Sequence, residues 1–257
     1  MTVRQLLDIL DEMAPFDTAA SFDNCGLLTG GGEWTVQGIH LALDCTPDVL
    51  DEMQYSGDNV LIVHHPLMFS PRQTVTEEDW EGRLLNRLIR QRIALIAVHT
   101  NLDQAPGGIN DVLARTVGLR QITGEGYIRV GELPHPMDHL SLQAYLQGRL
   151  GDVVRVMGQG TVRLLAVSSG AGGEGFREAR QMGADGFLTG EMKHHHALEA
   201  AGMGMVCFEA GHDATERPGI LHLGEALQQR LHQVQWNIPI HKTQTVPYSA
   251  GHLGREG

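Results

Sequence analysis

The sequence predicts an α/β fold made of two similar αβ halves, each with a mainly parallel sheet flanked by helices. Three observations lead there. Short, continuous apolar runs alternate with helical stretches, the pattern left by strands that are covered on both faces. The same order of elements recurs along the chain, once in residues 1–125 and again in residues 126–257. The 32 glycines are scattered between apolar runs, as tight βα turns require. A chain of 257 residues can bury a large core, either as two fused halves with a connection at about residues 126–152 or as one intertwined domain.

Taken in order, Met1 to Leu10 is amphipathic and carries acids where a signal peptide would keep a clean apolar core, so an ordinary helix is expected there. Asp23 to Gly30 reads as a turn and a short strand. Gly38 to Asp44 is a strand, followed by a helix with Thr46 at its N-cap and Pro47 in its first turn, and then by a strand over Asn59 to Val63. A helix from Trp80 to Arg90, a strand from Ile93 to Val98 and a helix from Ile109 to Val117 complete the first block. The stretch from Gly126 to Asp152, with Pro134 and Pro136, reads as a strand and a helix connecting the blocks. The second block repeats the pattern: strands at Arg163–Ser168, Gly186–Thr189 and Met205–Glu209 alternate with helices at Gly175–Met182, His194–Ala201 and Ile220–Leu231.

Composition narrows the function. Lys and Arg number 19 against 31 Asp and Glu, a net charge of -12 that disfavours phosphate backbones, so nucleic acid is not an expected partner. No run approaches the roughly 18 apolar residues of a membrane helix. Three cysteines, Cys25, Cys45 and Cys207, form no Cys-x-x-Cys pair, which argues against a disulfide framework or zinc ribbon and for a reducing cytoplasm. The 14 histidines are many for this length, and a neutral imidazole binds borderline transition metals.

Several of them stand where an open α/β sheet binds its ligands, beyond the carboxyl ends of strands. His64 and His65 follow the apolar run ending at Val63. Adjacent residues on an extended chain point to opposite sides, so both imidazoles reach one place only if the chain turns, as Pro66 favours. His99 and Asp103 follow the next strand, and Glu191, His212 and Glu216 occupy the matching ends in the second half. Aligning the halves places Glu191 over His64, His99 over His212 and Asp103 over Glu216. Two neighbouring divalent ions need several imidazoles and a carboxylate able to bridge them; His64, His65 and His212 offer the former, Asp103 and Glu216 the latter. If Glu216 opens the last helix under a Thr215 or Asp213 cap, His212 lies in the preceding loop.

With five motifs in this order, the chain resembles the GTP cyclohydrolase 1 type 2 homologs, also called NGG-one-interacting-factor-three-like dinuclear metal-centre proteins. The motifs are Asp23-Asn24-x-Gly26-Leu27, Val63-His64-His65-Pro66-Leu67 with Phe69, His99-Thr100-Asn101-Leu102-Asp103, Thr189-Gly190-Glu191-Met192-Lys193 and Gly211-His212-x-x-Thr215-Glu216. The resemblance covers nearly the whole chain. It implies that His64, His65, Asp103, His212 and Glu216 ligate two divalent ions per subunit in a site between the halves. It also implies a toroidal homohexamer. Phe22 and Cys25 depart from the tryptophan and the aliphatic residue usual in the family, changes expected to affect packing only, and His194-His195-His196 is unusually rich in histidine. The connection is too short for the domain that longer relatives insert between the halves.

The expected function is a metal-dependent hydrolase acting on a nucleotide, a phosphoester or a cyclic amide. His99 and Glu191 are the candidate acid/base groups beside the metal ligands. No Walker-type loop is present to cradle a triphosphate. Mixed imidazole and carboxylate donors suit zinc, iron, manganese and nickel alike. The competing reading is a non-catalytic metal-binding hexamer for metal storage, metal delivery or protein interaction; in a third, a structural metal only stabilises the ring.

Overall fold

In the structure, a computed structural model that describes residues 1–245, the elements alternate as the apolar pattern requires. The first are α1 (Val3–Met13), β1 (Gly26–Thr29), β2 (Ile39–Ala42), α2 (Pro47–Ser56), β3 (Val60–Val63), α3 (Trp80–Gln91), β4 (Ala94–Ala97) and α4 (Thr100–Gln104). There follow α5 (Ile109–Thr116), β5 (Arg120–Thr123), β6 (Arg129–Asp138), α6 (His139–Leu150), β7 (Arg155–Met157), β8 (Thr161–Ser168) and α7 (Phe176–Gln181). The last are β9 (Gly186–Thr189), α8 (His194–Gly202), β10 (Val206–Glu209), α9 (His212–Gln233) and β11 (Ile240–Lys242). Among the described residues no helix is long and apolar enough to cross a membrane.

The chain forms two compact units, one made of Met1–Pro106 together with the described residues from Ile220 on, the other of Gly107–Gly219. Among the described residues the second unit is one stretch of sequence, while the first is closed by the chain's return. In the first unit the strand order is β1-β4-β3-β2-β11, parallel throughout except for β1 against β4. Every residue of β2, β3 and β4 is buried, which explains why these strands read as unbroken apolar runs. His40, on β2, is the polar exception. Thr46 caps α2 by accepting from the Val49 amide, Pro47 takes the first turn, and Gly57 ends the helix at φ +77°, where a Cβ would be strained. Val49, Leu50 and Met53 of α2 and Leu84 and Leu88 of α3 pack on Leu61, Val63 and Leu95. At roughly 25 cal/mol per Å² of apolar area, such burial is the main stabilising term.

The second unit holds a sheet of order β5-β6-β8-β9-β10-β7. Its β8-β9-β10 core is parallel, and its outer pairings are antiparallel. The run β8-β9-β10 reproduces β2-β3-β4 in order and direction, so the repeat read from the sequence is a repeat of topology.

Three stretches differ from expectation. Residues 126–152 are no mere connection: β6 pairs with both β5 and β8, and α6 buries Leu142 and Leu146 in the unit's core. Pro134 and Pro136 sit where the register with β8 slips, the four residues of β6 between Glu132 and Met137 standing against the one residue of β8 between Leu164 and Val162. Proline lacks the N–H that a ladder needs, and bulges are where a sheet accommodates it. Helix α5, expected to close the first block, places Leu113 and Ala114 in the core of the second unit. Helix α9 begins at His212 rather than Ile220 and runs through Pro218.

Candidate metal centre

In the first unit the site starts where β3 stops. The amides of His64 and His65 both donate to the carbonyl of Leu43, at 3.1 and 2.9 Å, and this bends the chain as soon as it leaves the sheet. The bend brings the two rings to 4.9 Å, centroid to centroid. His64 is fully buried, and its Nδ1–H donates to the Val98 carbonyl at 2.8 Å. A carbonyl can only accept, so in the neutral ring the lone pair belongs to Nε2, which lies 3.4 Å from Oδ1 of Asp103. His65 repeats the device with Nδ1 at 2.9 Å from Oδ1 of Asp44.

His99 precedes α4, and its carbonyl accepts from the amide of Asp103 at 3.0 Å, which sets that carboxylate one turn away. The His99 ring lies 5.0 Å from His64 and 5.5 Å from His65, and the three histidines offer donor atoms within 4.8 Å of one another. Its Nδ1 is 3.0 Å from both oxygens of Asp23, which also accepts from the Thr100 amide at 3.0 Å and from the Thr100 hydroxyl. Burial pushes the Asp23 carboxyl up, but hydrogen bonds from Thr100 and His99 outweigh it and hold the group well below the usual carboxylate range. Burial, aided by His64, depresses His99 against the pull of Asp23, which favours the neutral ring. Beside it Phe69 stands 5.6 Å from His99 and stacks on Phe22 at 6.4 Å. Phe22 is 67% exposed, so the ring pair it forms with Phe69 is open to solvent.

In the second unit Gly211, at φ +88°, turns the chain out of β10 and into α9. His212 is the first residue of that helix, not a loop residue as expected, and Glu216 follows one turn later on the same face. Nε2 of His212 is 3.1 Å from Oε1 of Glu216, and Nδ1 is 2.8 Å from Oε1 of Glu191. Burial pushes His212 down, but Glu216 and Glu191 win and raise it to about 9. Glu191 thus orients His212. Thr215 accepts from the Gly170 amide at 3.0 Å. Gly170, at φ +54°, passes so close that a Cβ there would lie 2.1 Å from Oε1 of Glu216 and 2.9 Å from Nε2 of His212.

Each unit therefore gathers its own predicted residues: His64, His65, His99 and Asp103 in the first, Glu191, His212 and Glu216 in the second. The donors are imidazole nitrogens and carboxylate oxygens, a set that fits borderline divalent metals. Among the described residues no cysteine joins these groups, and burial pushes the thiols of Cys25, Cys45 and Cys207 up to about 12. Sequence reading gave no role to Asp44 or Gly170 and used Asp23 only as part of a motif, although Asp44 gives the same signal as the ligands, a polar residue just past an apolar strand. Of the three consecutive histidines, His194 and His195 are exposed at the start of α8, and His196 is buried against Phe176.

Repeated parallel αβ sheets with imidazoles and carboxylates at their strand ends define an α/β protein with groups able to hold metal. The chain belongs to the family described as Duf34/NIF3 (NGG1p interacting factor 3), whose model matches residues 1–247. It is 31% identical over 243 residues to a Clostridium perfringens protein named GTP cyclohydrolase 1 type 2 homolog, covering 90% of this chain and 93% of that one. A Streptomyces coelicolor protein of the same name is 34% identical over 266 residues, covering 96% and 93%. Among solved structures, the Staphylococcus aureus hypothetical protein SA1388 superposes with a TM-score of 0.92 at 29% identity, covering 97% of this chain and 99% of that one. Reduced HcgD from Methanocaldococcus jannaschii gives 0.80 at 25% identity, covering 95% and 98%.

Proposed function

We propose that the protein is a metal-dependent hydrolase that holds two divalent ions, with His64, His65 and Asp103 of the first unit and His212 and Glu216 of the second as their ligands. One observation carries the reading. His64, His65 and His212 each engage Nδ1 with an oxygen of Val98, Asp44 or Glu191, an arrangement that fixes the ring; Nε2 of His64 and of His212 then lies beside the carboxylate of its own unit, 3.4 Å from Asp103 and 3.1 Å from Glu216. Ions bound there would lower the pKa of water and polarise an electrophilic oxygen. Zinc, iron, manganese and nickel all suit the donors.

The chain's own residues do the rest. His99, with Nδ1–H given to Asp23, presents Nε2 as a proton acceptor beside the His64 and His65 rings. Phe22 and Phe69 offer a flat ring a stacking face next to His99. That favours a nucleotide base or cyclic amide among the expected substrates, in keeping with the name of the curated relatives. The homohexameric toroid and a cytoplasmic setting belong to the same proposal.

Elemental analysis of protein purified without added metal should find two ions per chain, reduced in Asp103→Ala and Glu216→Ala. A panel of nucleotides, phosphodiesters and cyclic amides should then show turnover by the metal-loaded protein only. His99→Gln should keep its metal and lose turnover. Absence of any turnover above the metal-free variants would leave a metal-binding protein without hydrolysis. Sedimentation equilibrium checks for a six-chain mass.

A further inference from the structure

The sheet of the first unit carries a second cluster of metal-ligating side chains, at the opposite ends of its strands from His64 and His99. His40 is the second residue of β2 and His241 the second of β11, and the parallel register sets them side by side on one face. Their rings are 6.5 Å apart. Asp58, which leads into β3, reaches between them: Oδ2 is 3.1 Å from Nδ1 of His40 and 2.8 Å from Nδ1 of His241. The carboxylate fits there because residue 38 is glycine, where a Cβ would lie 2.1 Å from Oδ1 of Asp58.

The surroundings are organised as well. Nε2 of His40 faces Oε2 of Glu52 at 3.1 Å, and Glu52 accepts from the Thr243 hydroxyl at 2.8 Å, the Gln244 amide at 3.2 Å and the Thr245 hydroxyl. Ser56 donates to Asp58 at 2.7 Å. His40 and Asp58 are 3% and 6% exposed, whereas the His241 side chain is 46% exposed and leaves a way in.

We propose that His40 Nδ1, the Asp58 carboxylate and His241 Nδ1 form a separate site for one divalent ion of the zinc type. Three features distinguish it from an ordinary polar contact. Two imidazoles and a carboxylate from three chain segments converge, with donor atoms within 4.8 Å of one another. The ring of His40 is backed on its far nitrogen by a carboxylate, the partner that metal-bound histidines usually have. Ligands on a tetrahedral zinc stand about 3.3 Å apart for bonds of about 2.0–2.1 Å, so the separations of 3.1 and 2.8 Å from Asp58 to the two rings need to open by only a few tenths of an ångström. The ion takes the place of the protons now shared between Asp58 and the two rings. Water fills its fourth position from the exposed side. Because His241 lies on β11, the ion ties the returning strand to β2.

The test uses zinc itself, in equilibrium dialysis of the whole protein with amide hydrogen exchange followed on β2 and β11. His241→Asn keeps a donor to Asp58 but is a poor zinc ligand, and the half-exposed position tolerates the change. The wild type should bind one more zinc per chain than His241→Asn and His241→Ala, and zinc should slow exchange in β11 of the wild type alone. Equal zinc uptake by all three proteins, or exchange in β11 that ignores zinc, would overturn the site and leave a hydrogen-bonded network. Loss of Asp103 or Glu216 leaves this difference in place, so its failure and that of the hydrolase reading are separately visible.

Discussion

His212 shows how a neighbour sets what a side chain can do. Glu191 holds its Nδ1, so Glu191→Ala should weaken metal binding by roughly 10–100-fold in chelator competition, while Glu191→Gln, which can still accept that hydrogen bond, should lose less. Without metal the same carboxylates raise His212 to about 9 against the effect of burial. A raised value in the folded state stabilises the protonated ring. That contribution is complete below the ordinary value of about 6.5 and disappears as pH rises through 9. Thermal unfolding in a chelator should therefore show stability falling between pH 6.5 and 9, and less so in Glu191→Ala; identical profiles would refute the coupling. Gly170→Ala would place a Cβ against Glu216 and His212 and force a strained φ, so it should impair metal binding by the second unit more than it alters the fold. The predicted ligands were legible because a polar residue just past an apolar strand stands out. The roles of Asp44, Asp23 and Gly170 were not, since each depends on which ring nitrogen or carboxylate it meets.

Elements reveal the same division between pattern and context. Strands β2, β3, β4, β9 and β10 were legible because each is a fully or almost fully buried apolar run. Strands β5, β7 and β11 are short, lie at sheet edges and are largely exposed or half-buried, so no periodic signal marks them. In β6 and α9 the prolines misled: a bulge absorbs Pro134 and Pro136, and α9 runs through Pro218 at the cost of one hydrogen bond. Thr46 is a cap that both sequence and structure agree on. Thr46→Ala should cost about 1 kcal/mol, seen as a lower urea midpoint at unchanged slope.

For the whole molecule, the most consequential feature is that the first unit is made from two distant stretches of chain, the later of which supplies a strand to its sheet. Strand β2 pairs with β3 on one side and β11 on the other, so a chain ending before Ile240 leaves that edge open. Such a truncation should self-associate, detected by light scattering, because an open edge templates pairing with other chains. During synthesis the order of completion follows. Residues 107–219, with the whole of the second sheet, emerge while the earlier sheet still lacks β11, whose partner was made about 200 residues before, at roughly 5–20 residues per second. For some ten seconds or more the earlier of the two sheets is the one still unfinished, and it is there that a chaperone would be of most use.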